Sequence, residues 1–400
     1  MRFHAAQALT NVELKIALRI RSRYLSDYAG AVATGRLILA SDPADVDTLV
    51  AIGRAFYMQS RFDEAFAMFA RAVEHAPARL DAVGPFTDLL LLLGDNRAGW
   101  RCSEALANNT HLLASYPGIS QHLNKKWRGQ PLAGKRILVA YYAGIGDNLM
   151  MARYTRELKA AGAHVTFACR PELLRLLEGL EGTDEVVATW KMERWHEFDY
   201  WVFDYLLPAC LGAAEGRIPG YAEGYLRAPA GLTTHWAAQL QSPPGRLKVG
   251  LCWSSVPHNF SGIDRFIHPE EFAPLAELTH IDWFIVQKHA TNPELAAQSG
   301  LKVSDYSEQW RDFADTSAMI AGLDLVISID SSPLHLAAAM GKPVWGLLPA
   351  APEWRWGLSG EESAWYPSLR LFRQAELHRW APLIQRVKEE LGKLCATPME

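Results

Sequence analysis

Apolar residues follow one rhythm over residues 12–113 and another beyond Arg136. In the stretch Val46 to Pro77, VDTLVAIGRAFYMQSRFDEAFAMFARAVEHAP, Leu49, Ile52, Gly53, Phe56, Ala65, Phe69 and Ala72 recur at the spacing of helix faces. The small residues Gly53, Ala65 and Ala72 allow two helices to approach closely, Phe56 and Phe69 fill the space between, and Pro77 ends the unit. A weaker copy containing Ala31 closes at Pro43, and Gly94, Ala98 and Trp100 mirror Ser60, Glu64 and Phe66 one repeat later. The pattern predicts about three degenerate helix pairs, the minimum for a stable stack. Stacked pairs make concave grooves, which suit protein docking or self-association through residues 12–113; the alternative is a lid packed on the rest of the chain.

After a polar connector, Asn124 to Gln130, short apolar runs alternate with helical stretches. Strands are predicted at Arg136–Tyr142, His164–Cys169, Glu185–Trp190, Leu247–Trp253, Ile281–Gln287, Leu323–Asp330 and Pro343–Leu348. Helices are predicted at Asn148–Ala161, Pro171–Leu180, Pro269–Leu278, around Asp315–Ala321, from Pro333, and at Ala381–Leu394. Such alternation builds doubly wound parallel sheets. The run Gln241 to Arg246, QSPPGR, reads as a hinge. The predicted class is therefore α/β, two doubly wound Rossmann-like domains facing a cleft behind an all-α domain: residues 1–125 helical repeats, 126–242 the first Rossmann-like domain, and 243–400 the second, with a closing C-terminal helix.

Composition removes several classes. With 400 residues and a formal charge of −4 the chain carries no basic stripe for nucleic acid. Cys102, Cys169, Cys210, Cys252 and Cys395 are far apart and lack metal-ligand spacing, which implies a reducing cytoplasm and no structural metal. The N-terminus does not read as a signal peptide, and Leu89 to Leu93 is too short to span a bilayer.

The candidate chemistry gathers at two turns. In LDLVISIDSSPLHLAAAMGKPVWGLLP, from Leu323 to Pro349, a strand turns at Ser331 and Ser332 into a helix, with Ser332 expected at the N-cap and Pro333 at N1. A helix start offers free N–H groups to a phosphate, so Asp330, Ser331 and Ser332 are candidates to seat a diphosphate; otherwise they cap a core helix. The other turn, Gly144 to Asp147, lacks the third glycine of a dinucleotide fingerprint, and the next strand ends at Arg170 without an acid for a ribose. A nicotinamide or flavin enzyme is not indicated. Asp147 is expected at the N-cap or facing the crevice as a base. Trp354, Arg355, Trp356, Trp365 and Tyr366 form an aromatic group that suits either sugar stacking or packing at the end of a sheet.

The blocks RILVAYYAGIGDNLMMARY, VGLCWSS, DRFIHPEEFAPL, FIVQK, DFADTSAMIAGLDLVISIDSSPLHLAAAMGKPVWGLLP, EWRW and AWYPSLRLFRQ, with the repeats in front, resemble bacterial tetratricopeptide-repeat proteins. In those proteins the repeats precede a GT-B glycosyltransferase module related to the ADP-heptose:lipopolysaccharide heptosyltransferases. The resemblance runs from about Trp127 to Gln374. It implies metal-independent inverting transfer of a sugar, a heptose in the namesake enzymes, from a nucleotide diphosphate sugar to a protein or glycan hydroxyl, with no other cofactor. It puts the general base on Asp147. It puts the donor on Gly146, Trp253, Ser254, Asp330, Ser331, Ser332 and His335, with Arg265 or Lys288 neutralising the leaving diphosphate. Ser255 and Ser332 stand where the family commonly has glycine, and Ala143 and Met150 where glutamines are frequent. The rival expectation is a GT-B scaffold without catalysis that acts through its repeats; a sugar-nucleotide epimerase is a third.

Overall fold

The computed structural model describes residues 10–107, 113, 116, 118–142, 144–188, 194–255, 264–288 and 292–396. Ala143, and Trp190 at the expected end of the third strand, lie outside them. By contacts the chain forms two units, Met1–Asn109 with Ala350–Gly357, and Thr110–Pro349 with Leu358–Glu400.

The first unit is all-helical, with α1 (Asn11–Tyr24), α2 (Tyr28–Ser41), α3 (Val46–Met58), α4 (Phe62–His75), α5 (Leu80–Leu92) and α6 (Asn96–Ala107). Short polar caps start the first three helices. Thr10 and Glu13 form a reciprocal capping box on α1, Asp27 accepts from the Gly30 N–H, and Asp45 accepts from the Thr48 N–H. The small residues have a steric reason: a Cβ on Gly53 would stand 2.5 Å from the Phe69 ring. Ala65 and Ala72 are wholly buried, as are Leu49 and Ala82 in the same core. The segment Ala350–Gly357 joins this unit, where Tyr57 Oη donates to the Pro352 carbonyl at 2.5 Å and the Trp354 ring meets Trp100 edge-on at 5.5 Å.

The second unit contains two parallel sheets. The strands are β1 (Arg136–Ala140), β2 (His164–Cys169), β3 (Glu185–Ala188), β4 (Tyr200–Phe203), β5 (Leu247–Cys252), β6 (Ile281–Ile285), β7 (Val303–Ser304), β8 (Leu325–Ile329), β9 (Val344–Leu348) and β10 (Leu369–Arg373). Their orders are β3-β2-β1-β4 and β10-β9-β8-β5-β6-β7. Between them lie α7 (Ile145–Met151), α8 (Thr155–Ala160), α9 (Leu174–Leu177), α10 (Leu207–Cys210), α11 (Ala230–Gln239), α12 (Asn292–Ser299), α13 (Phe313–Ala321) and α14 (Ser332–Ala339). The last helix is α15 (Ala381–Ala396).

In each sheet the first strand in sequence lies inside, and the chain winds outward from it in both directions. Crevices therefore open at the carboxyl ends of β1 and β4 and of β5 and β8. β4, β7 and β10 are additions to the strands read from the sequence. The expected helix Asn148–Ala161 instead begins at Ile145 and tightens into a 3-10 turn at Ala152–Tyr154 before α8. The expected helix Pro269–Leu278 is a continuous 3-10 run, Pro269–Glu277, with Pro274 inside it. Among the described residues no helix is long and apolar enough to cross a membrane.

The two sheets of this unit meet helix to helix. α7 packs on α14, and beyond it Tyr225 and Leu226 both donate backbone N–H groups to the Ala339 carbonyl, at 2.7 and 3.0 Å. Gly224 and Gly341, both at positive φ, bring their backbones together there; a Cβ on Gly224 would lie 2.4 Å from the Gly341 nitrogen. Only glycine suits both the conformation and the approach.

Candidate active site

At the end of β1 the turn is braced from beneath. Asp204, fully buried just past β4, accepts from Tyr142 N–H at 3.1 Å, Tyr205 N–H at 2.8 Å and the Asn148 side-chain amide at 2.9 Å. Burial pushes its carboxyl up to about 7, against those hydrogen bonds. One acid thus ties together β1, β4 and α7.

Asp147 lies within α7 at the third helical position rather than at the N-cap, because Gly144 takes the extended backbone before Ile145. Its Oδ2 accepts from the Gly144 N–H at 2.9 Å, so the carboxylate folds back over the turn and is fixed by it. It remains half-buried.

Beyond β8 the N-cap is Ser331, not Ser332, and Pro333 falls second in the helix. Ser331 has the extended backbone of a cap, but its hydroxyl points into the sheet, 3.0 Å from Ser328 Oγ and 3.3 Å from Cys252 Sγ. It joins the ends of β5 and β8 as part of the floor. Ser332 is half-buried at the first helical position. Cys252 is sealed in that floor, and burial pushes its thiol up, the opposite of what a nucleophile requires.

Around Asp330, which is 4% exposed, the polar groups converge. His335 Nε2 is 3.5 Å from its Oδ1, and Arg265 Nη1 is 3.9 Å from its Oδ2. His335 Nδ1 is 2.9 Å from the Tyr366 hydroxyl. Arg265 Nε has no hydrogen-bond partner among the described residues. The structure thus groups Asp330, His335 and Arg265, and it brings the other turn against them: a Cβ on Gly146 would lie 2.7 Å from His335 Cδ2 and 3.3 Å from Nε2.

The remaining candidates are placed differently. Trp253 is 1% exposed, so its indole is core; its backbone N–H and that of Ser254 both donate to Gln287 Oε1 at 2.9 Å. Ser254 is buried beside it. Lys288 donates to the Trp310 carbonyl at 3.2 Å rather than joining Asp330. Trp354 and Trp356 belong to the helical unit, whereas Trp365 and Tyr366 surround Arg153 in the other. Asp312 caps α13, and with Asp315 it receives Arg175 from α9, each at 2.8 Å. Among the described residues no three His, Cys, Asp or Glu side chains come together to hold a metal ion.

Sequence reasoning passed over Asp204, Gln287 and Arg153. Asp204 carried a usable signal, because it follows the apolar run Tyr200–Phe203 at a strand's carboxyl end. Arg153 carried none.

Residues 312–383 match the model of Glycosyltransferase family 9 (heptosyltransferase). That segment contains Asp330, His335 and Tyr366. Protein FlbA of Caulobacter vibrioides is 28% identical over 337 residues, 77% of this chain and 54% of that protein. The chain thus spans about half the length of this curated relative. Among solved structures, the glycosyl transferase family 9 protein of Veillonella parvula aligns at 13% identity and a TM-score of 0.47, covering 68% of this chain and 92% of the other. The E. coli ADP-heptose lps heptosyltransferase II aligns at 16% identity and a TM-score of 0.47, covering 65% and 98%.

Proposed function

We propose that this protein is an inverting glycosyltransferase that moves a sugar, a heptose in the first instance, from a nucleoside diphosphate sugar to a hydroxyl of a protein or glycan, without a metal ion. The observation that carries the reading is the contact of Gly146 with His335, which sets the Asp147 turn beside the polar group at the head of α14. Direct displacement at an anomeric carbon needs a proton acceptor on one face and stabilisation of the departing diphosphate on the other, within the span of one sugar. Support also comes from the match of residues 312–383 to a family described as heptosyltransferase.

In this reading Asp147 takes the proton of the acceptor hydroxyl, its carboxylate oriented by the Gly144 N–H. Arg265 faces the leaving diphosphate, with the free N–H groups of α14 and the Ser332 hydroxyl beneath it. Asp330 and His335 orient the sugar and phosphates. The helical unit is a tetratricopeptide-like stack that holds a protein acceptor or a second copy. The donors are cytoplasmic metabolites, so the reaction belongs in the cytoplasm.

The test is turnover of nucleotide sugars by purified protein and by Asp147→Asn, whose side-chain oxygen can still accept from Gly144. Loss of a general base should lower turnover by about 10²-fold or more while nucleotide binding persists. Equal turnover would remove Asp147 from the mechanism.

A further inference from the structure

Arg153 is 1% exposed, and among the described residues its guanidinium hydrogen-bonds only to carbonyls and a tyrosine hydroxyl. Its guanidinium donates to the Trp365 carbonyl at 2.5 Å, the Met150 carbonyl at 3.0 Å, the Pro219 carbonyl at 3.2 Å and Tyr225 Oη at 3.3 Å. It also lies 4.7 Å from the centre of the Tyr366 ring, 5.0 Å from Tyr225 and 5.3 Å from Trp365. A buried cation balanced only by carbonyls and aromatic faces is expensive to maintain, and cation–ring attraction is strongest where water is excluded. The ring it touches most closely is the one whose hydroxyl meets His335 Nδ1.

The other imidazole nitrogen faces the Asp330 carboxylate, an acceptor, so the hydrogen belongs on Nε2 and Nδ1 accepts from Tyr366. We propose that Arg153 and Tyr366 are positioning residues for His335: the guanidinium fixes the Tyr366 ring, the Tyr366 hydroxyl donates to Nδ1, and the imidazole is held with its Nε2 hydrogen on Asp330. The consequence for donor binding rests on the glycosyltransferase reading; the placement of the hydrogen does not. A carboxylate at an anion seat repels the diphosphate unless its charge is offset. Arg265 on one oxygen and the Nε2 hydrogen on the other provide that offset.

The experiment is nitrogen-detected NMR of the full chain labelled with ¹⁵N-histidine, with the His335 signals assigned by their loss in His335→Ala. Wild type should show the Nε2-protonated tautomer. Tyr366→Phe keeps the ring and should move the His335 nitrogens or mix the tautomers, with Arg153→Met doing the same and Arg153→Lys restoring most of the wild-type pattern. In parallel, ADP, UDP, GDP and dTDP are titrated into each protein, and the one that binds should weaken about tenfold in Tyr366→Phe. A hydrogen on Nδ1 in wild type, or His335 signals unmoved in Tyr366→Phe, overturns the proposal. Signals that move while no nucleoside diphosphate binds any of the proteins support the positioning role and overturn the donor reading alone.

Discussion

Gly146→Ala makes two opposing contributions to stability. Within a helix, alanine is favoured over glycine by about 1 kcal/mol, and Gly146 lies in α7 outside the positive-φ glycines, so on local grounds the substitution stabilises. Its methyl would stand 2.7 Å from His335 Cδ2, where carbon atoms normally keep about 3.5 Å or more, so helix or ring must move by roughly 0.8 Å. The ring has little freedom: it is 3% exposed, with Tyr366 on one nitrogen and Asp330 on the other. Overpacking of this kind costs about 1–3 kcal/mol, enough to reverse the local gain. Urea denaturation should therefore show Gly146→Ala less stable than wild type by about 1–2 kcal/mol, with weakened nucleotide binding. In a His335→Ala background the obstacle is gone, and the same substitution should become stabilising by up to about 1 kcal/mol. If Gly146→Ala has the same sign in both backgrounds, the turn does not press on the imidazole and the central contact of the proposed site is wrong.

Further outcomes follow from neighbouring features. Asp204 has a folded-state pKa raised from 3.8 to about 7, so the native state binds its proton more tightly than the unfolded chain does. Its contribution is complete below pH about 4, falls as pH rises through the window to about 7, and is flat above; the span is about 4 kcal/mol, and Asp204→Asn should flatten it in denaturation at stepped pH. Among the described residues the Asn148 side-chain oxygen has no hydrogen-bond partner, so a turn of that amide can receive the hydrogen of protonated Asp204 or of the substituted amide. Arg175→Ala leaves the buried Asp315 without its partner from α9 and should cost about 1–3 kcal/mol in urea, with a smaller loss for Arg175→Lys. Trp354→Ala removes the ring packed on Trp100 and should destabilise the helical unit by about 3–5 kcal/mol and expose residues 350–357 to limited proteolysis.

The features visible in the sequence are those set by neighbouring residues. Helical spacing with Gly53, Ala65 and Ala72 marked the closely packed pairs, because a missing side chain is a local fact with a steric consequence. Alternation of apolar runs marked most strands of both sheets for the same reason. β4 was easily missed because Asp204 alone separates Tyr200–Phe203 from the equally apolar Tyr205–Pro208, so the four-residue strand has no periodicity of its own and that one acid is its only mark. The start of α7 was misplaced because glycine and β-branched isoleucine are weak helix formers; tertiary contact with α14 outweighs that preference.

The site shows the same division between local and distant causes. Asp330 and His335 lie five residues apart on one turn, and their association could be read from that turn. Which serine hydroxyl turns inward could not, because that of Ser331 is drawn to Cys252, 79 residues away on β5. The partner of His335 is 31 residues downstream, and Arg153 reaches Trp365 across 212 residues. A buried arginine answered by aromatic faces leaves no charge pattern in the sequence, since its counterparts are neutral and its carbonyl partners belong to every residue type. The local motifs therefore name the polar groups gathered at the two turns. The side chains that fix how those groups are held come from wherever the sheets bring the chain back.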